Sequence, residues 1–126
     1  MKRLALGLAL VVAGAALLPA GSAVGAVTTA KSTVTILSGE GSEFTGKVTS
    51  TKKQCRANRK VTLFRKSDSG GAYSAVGTDK TDASGAWSMQ GSFLAGMYYA
   101  RVASTLVRAN GVPIRCDFDI NVAMHF

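Results

Sequence analysis

The run from Thr78 to Val102, TDKTDASGAWSMQGSFLAGMYYARV, constrains the fold of this chain more than any other stretch. Asp82-Ala83-Ser84-Gly85 is a turn signal: the aspartate can accept hydrogen bonds from the backbone ahead of it, and the glycine is free to take a positive φ. Trp87 follows at once, a ring that a small domain must bury. A short loop through Gly91 and Gly96 then leads into Met97-Tyr98-Tyr99-Ala100-Arg101-Val102, rich in the aromatic and branched residues that favour strands. The aspartates, tryptophan and tyrosines of this run are therefore expected to build a hairpin and a core, and any site is to be sought around them.

The rest of the chain has the same texture. Ser32 to Leu37 begins an alternation with Val34 and Ile36 on one side, and a turn cluster from Ser38 to Ser42 sends it back as Phe44 to Ser50. Thr51 to Lys60 is polar and reads as a connection, Val61 to Lys66 as a strand, Ser67 to Gly71 as a turn, and Ala72 to Thr78 as another short strand. Val27 to Lys31 has no pattern and reads as a loose lead-in. Asn110-Gly111 is a turn dipeptide, and Pro113 limits pairing at the entrance to the C-terminal stretch. There Ile114, Cys116, Phe118, Ile120 and Val122 alternate with Arg115, Asp117, Asp119 and Asn121, which predicts one half-buried antiparallel strand with its apolar face inward. No window beyond the N-terminus carries helical periodicity. About seven short strands with glycine-rich turns predict an all-β, antiparallel sandwich or barrel.

The N-terminus is a different kind of sequence. Met1-Lys2-Arg3 precedes an unbroken apolar run from Leu4 to Leu18, then Pro19, Gly21 and Ser22, and small residues ending at Ala26. This is the pattern of a signal peptide cleaved after Ala26, and the run is short for a spanning helix. The expected product, residues 27 to 126, is one secreted, extracellular domain with no transmembrane anchor. It carries 13 Lys and Arg against 7 Asp and Glu, a net charge of +6. Cys55 and Cys116 are the two cysteines of the chain, and in an oxidising compartment an intramolecular disulfide is the economical reading. Spacing alone leaves a free thiol pair or an intermolecular bridge open.

Catalytic equipment is thin. His125 is the one histidine and is penultimate, so no triad is supported, and the cysteines are better used in a bridge. The chain is not expected to be an enzyme or to need a cofactor or metal. Asp79, Asp82 and Ser84 fit no calcium loop, and aspartate at a turn usually caps its own backbone. The basic residues Lys52, Lys53, Arg56, Arg59 and Lys60 form the one charge cluster, a candidate polyanion site. No aromatic platform accompanies it, since Phe64 belongs to an alternating strand and is expected in or near the core. Nucleic acid is therefore not an expected partner. Cell-envelope polymers or another surface protein are.

These residues carry a resemblance. Gly46-Lys47-Val48, Cys55, Arg59-x-Val61-x-Leu63-x-Arg65, Asp82-x-x-Gly85-x-Trp87, Gly96-x-Tyr98-Tyr99-Ala100 and Cys116 resemble small secreted bacterial domains of the transthyretin-like (prealbumin-like) group, relatives of carboxypeptidase regulatory-like modules. The resemblance covers Thr45 to about Cys116 and implies a Greek-key sandwich of seven strands. It also implies structural roles for Asp82, Gly85, Trp87, Gly96 and Tyr98, with Tyr98 hydrogen-bonding backbone at a corner. The histidines and C-terminal tyrosine motif of the hydroxyisourate hydrolases of this fold are not in this sequence. The expected function is a noncatalytic structural or interaction module of the bacterial exterior; the alternative is polyanion or carbohydrate binding through Lys52 to Lys66.

Overall fold

A computed structural model describes residues 27–126, so the expected signal peptide and its cleavage position lie outside the described residues. The described chain is all-β. Its strands are β1 (Thr28–Ala30), β2 (Thr33–Glu40), β3 (Glu43–Thr49), β4 (Lys60–Ser67), β5 (Ser74–Lys80), β6 (Ala86–Gln90), β7 (Gly96–Val102), β8 (Thr105–Ala109), β9 (Val112–Cys116), β10 (Asp119–Ile120) and β11 (Met124–His125), with one 3-10 turn at Lys53–Cys55. They form three sheets, ordered β2-β3-β6, β10-β7-β4-β5 with β11 also on β7, and β1-β9-β8. All pairings are antiparallel except β1 with β9. No helix among the described residues is long and apolar enough to cross a membrane.

The first two sheets share one core, as in a β-sandwich. Val34 and Ile36 from β2, Phe44 and Val48 from β3, Trp87 and Met89 from β6, Val61 and Leu63 from β4, and Tyr98, Ala100 and Val102 from β7 are all buried in it. Each strand contributes alternate residues, the period-two pattern of a pleat with one face inward. A smaller second core of Ala30, Cys55, Ile114 and Cys116 lies under the third sheet, with Val107 and Ala109 packed on it. Cys55 and Cys116 are disulfide-bonded, Cα atoms 5.5 Å apart, across a sequence separation of 61. The bridge ties the 3-10 turn after β3 to the end of β9. Asn110 and Gly111, with φ of 53° and 80°, close the β8–β9 hairpin in the left-handed conformation that two-residue hairpin turns favour.

Three expectations are corrected. Eleven strands stand among the described residues where the pattern predicts about seven: β1 and β11 are too short to show a pattern, β8 carries no apolar alternation with a buried face, and the one expected C-terminal strand is divided into β9 and β10. Val27 to Lys31 is a lead-in only at its ends: Thr28–Ala30 pairs in parallel with Ile114–Cys116. The largest correction is the C-terminal stretch. The apolar face holds only as far as Cys116, after which Phe118, Ile120 and Val122 are 61%, 48% and 84% exposed. The chain changes sheet here. The Asp117 amide donates to the Ala30 carbonyl at the end of the small sheet, and Asp119 already pairs with Val102 on β7. Beyond the change the polar residues turn inward, where they cap backbone: Asp119 Oδ2 accepts from the Val34 amide at 2.9 Å, and Asn121 Oδ1 from the Ala100 amide at 2.6 Å. Buried amides need acceptors, and at this edge side chains supply them.

Candidate functional site

The basic segment divides by where its side chains go. Lys52, Lys53 and Lys60 are exposed and Arg56 is half-buried, its Nε donating to the Ser50 carbonyl at 2.9 Å. Arg59 is withdrawn altogether, at 1% exposure. One terminal nitrogen donates to Ser32 Oγ and the Cys55 carbonyl at 2.9 and 2.7 Å, the other to the carbonyls of Ala103 and Asp117 at 2.8 and 2.9 Å. Its backbone is held by Thr81, whose hydroxyl accepts from the Arg59 amide and whose own amide donates to the Arg59 carbonyl. Burial pushes its pKa below the usual arginine range, while the charge of Asp117 acts the other way. The guanidinium therefore joins the β1–β2 connection, the 3-10 turn, the β7–β8 connection and the end of β9, and as a surface anion contact it is excluded.

Of the exposed cations, Lys60 belongs to a larger surface, the outer face of the β10-β7-β4-β5 sheet, whereas Lys52 and Lys53 stand at the 3-10 turn after β3 and are not brought onto it. Strand alternation puts Lys60, Thr62, Phe64 and Lys66 of β4 on this face, because Val61 and Leu63 point into the core. Register brings Lys80 beside Lys60, Arg101 beside Thr62, and Tyr99 beside Phe64. Phe64 stacks on Tyr99 with centroids 4.9 Å apart, and Tyr73 meets Tyr99 edge-on at 4.8 Å. Arg101 lies over Phe64 at 5.0 Å and Lys66 over Tyr73 at 5.9 Å, both within cation–π range. The result is a row of three half-buried rings with a cation at each end. Asp79 and Asp119, the carboxylates on the paired strands β5 and β10, turn away to the amides of Ser88 and Val34.

An aromatic array thus accompanies the basic residues, contrary to expectation. The linear sequence hides it because its members come from β4, β7 and the loop before β5. The signal is present as parity: residues 60, 62, 64 and 66 face one way, as do 97, 99 and 101. Among the described residues the one contact of a basic side chain with a carboxylate within 4 Å is His125 with Asp68, Nε2 to Oδ1 2.9 Å, so the lysines and arginines of the surface have no carboxylate within ion-pair distance. Their field is uncompensated, which is the condition for attracting an anionic partner.

The residues assigned to architecture have structural surroundings. Asp82 Oδ1 accepts from the Ser84 hydroxyl and from the amides of Ser84 and Ala86, which holds its pKa below the usual carboxylate range. Gly85 has φ +93° and its backbone touches β3, so that a Cβ there would collide with the Val48 carbonyl oxygen. Trp87 is buried with its Nε1 unpartnered. Gly96 exchanges two backbone hydrogen bonds with Phe126, fastening the C-terminus. The Tyr98 hydroxyl donates to the Leu94 carbonyl, and its ring packs on Phe44 at 4.5 Å in an aromatic cluster with Phe93 and Phe126.

Comparison with protein-family models, with curated proteins and with solved structures gave no match. The site is therefore read from its own chemistry. Among the described residues no three His, Cys, Asp or Glu side chains gather as metal ligands. The surface offers cations, phenol hydroxyls and apolar side chains, which are groups that bind by charge and contact.

Proposed function

We propose that the chain is an exported, noncatalytic interaction module of the bacterial exterior, a transthyretin-like Greek-key β-sandwich that presents one sheet face to an anionic partner in the cell envelope. The observation that carries this reading is the outer face of the β10-β7-β4-β5 sheet. Its cations have no carboxylate partners, and two of them, Arg101 and Lys66, stand in one row with Phe64, Tyr99 and Tyr73. The scaffold beneath is tied by the Cys55–Cys116 bridge, a covalent device suited to an oxidising compartment. The turn at Asp82–Gly85 and the Tyr98 hydrogen bond to backbone support the transthyretin-like assignment.

The alternative, binding through Lys52 to Lys66, merges with this reading at Lys60 and Lys66, which lie on the same face, and loses Arg59. Retention on cell-envelope fractions tests both. The full chain, produced in an exporting host, is expected in the medium without its first 26 residues and retained on envelope material at low salt. Added salt should release it, because exposed charges are screened within about 8 Å at physiological ionic strength. Retention that is indifferent to salt and unchanged in a Lys60→Gln, Lys66→Gln, Arg101→Gln variant contradicts the proposal.

A further inference from the structure

The inversion of the C-terminal stretch leaves an apolar row in water. Phe118, Ile120 and Val122 point outward at 61%, 48% and 84% exposure, while Asp119 and Asn121 between them are held inward by the amides of Val34 and Ala100. This is not a loose tail that happens to show its side chains. Asp119 and Ile120 pair with β7, the Asn121 amide donates to the Ala100 carbonyl at 3.1 Å, and Phe126 pairs with Gly96. The strand itself covers Asp119 and Ile120, with Phe118 and Val122 on either side of it, so the three exposed side chains form a short apolar ridge. The ridge borders the cationic face directly, for Ile120 is the register partner of Arg101.

We infer that this ridge and the cations beside it form a docking surface for an anionic lipid bilayer, the aliphatic and aromatic side chains entering the headgroup boundary and the cations meeting the lipid phosphates. The inference rests on the proposal that the module is exported and acts by binding at the cell exterior. Three considerations select this occupant. A second copy laid face to face would bring Arg101, Lys66, Lys60 and Lys80 against their own duplicates, with no carboxylate of β5 or β10 turned to meet them. An acidic polysaccharide complements the charge but makes nothing of three protruding hydrocarbon side chains. Stacking on bases or sugars is also poorly served, because the rings of the row are covered by one another and by Arg101 and Lys66. An anionic bilayer uses both halves: apolar side chains at its boundary, cations at its phosphates, and tyrosines at the interface.

Vesicle sedimentation of the full chain, produced in an exporting host, is the test. The protein is expected to sediment with vesicles of equimolar phosphatidylcholine and phosphatidylglycerol and to stay in the supernatant with phosphatidylcholine alone. Arg101→Gln and Lys66→Gln should each weaken binding about fivefold, since a cation at an anionic surface contributes about 1 kcal/mol. Ile120→Ser with Val122→Ser should weaken it about tenfold through lost apolar transfer, while lowering the unfolding midpoint of the free protein only slightly, because Val122 is exposed and Ile120 half-exposed. Three results overturn the inference. Equal binding by the serine variant would reduce the surface to a plain charge patch. Retention on envelope polymers with no affinity for either vesicle would remove the bilayer and spare the proposed function. A concentration-dependent dimer abolished by the serine variant would give the ridge to a second copy.

Discussion

Arg59 and its basic neighbours look alike in the sequence and do opposite things. Lys52, Lys53 and Lys60 stay in water, whereas Arg59 lends its planar donors to four acceptors that belong to four separate connections. A lysine has no such fork and cannot replace it. Arg59→Met and Arg59→Lys are both expected to lower stability by about 3 kcal/mol or more, from buried acceptors left unpaired, seen as a lower urea midpoint. Binding to anionic material at temperatures where the variants remain folded should be unchanged. Asp82 acts through charge. Because its folded pKa is depressed, its contribution is complete above the ordinary carboxylate range and is lost as pH falls through the lower folded value. Asp82→Ala should therefore melt at a lower temperature than the parent near neutral pH, with the difference closing in acid; an undiminished gap at low pH would speak against this role.

At the level of elements, legibility follows pattern length. Strands β2, β3 and β4 are readable because Val34 and Ile36, Phe44 and Val48, and Val61 and Leu63 alternate over enough residues to declare a buried face. The edges β1 and β11 carry no pattern because three or two residues cannot. The run after Ile114 has the clearest alternation in the chain and misleads in its second half. Alternation records that two faces differ; which face turns inward is decided by where the chain changes sheet and which amides it must cap. The disulfide ties elements far apart in sequence. Closing a loop of this length is worth about 4 kcal/mol in the chain-entropy treatment. A Cys55→Ala, Cys116→Ala variant should lose roughly that amount in denaturant unfolding. Amide exchange should rise first in β8 and β9, whose core is the four-residue cluster around the bridge; loss spread evenly over all sheets would contradict a separate second core.

For the whole molecule, the question is what stands inside and what stands outside. Basic charge is legible from composition, but the proposed binding face is not: Lys66, Arg101, Phe64, Tyr73 and Tyr99 are assembled by sheet register from residues up to 37 positions apart. The exposed ridge is legible only as its opposite. That inversion is the central claim, because the exposed apolar ridge and the proposed bilayer contact both depend on it. Denaturant unfolding of single alanine variants from Asp119 to Val122 tests it most directly. Asp119→Ala and Asn121→Ala each strip a partly buried amide of its acceptor and are expected to cost about 1–3 kcal/mol. Val122→Ala, largely in water, should stay within about 0.5 kcal/mol of the parent, and Ile120→Ala, half in water, within about 1 kcal/mol. A loss of about 2–5 kcal/mol at Ile120 with Asp119 and Asn121 indifferent, the signature of an apolar face packed in a core, would contradict the account.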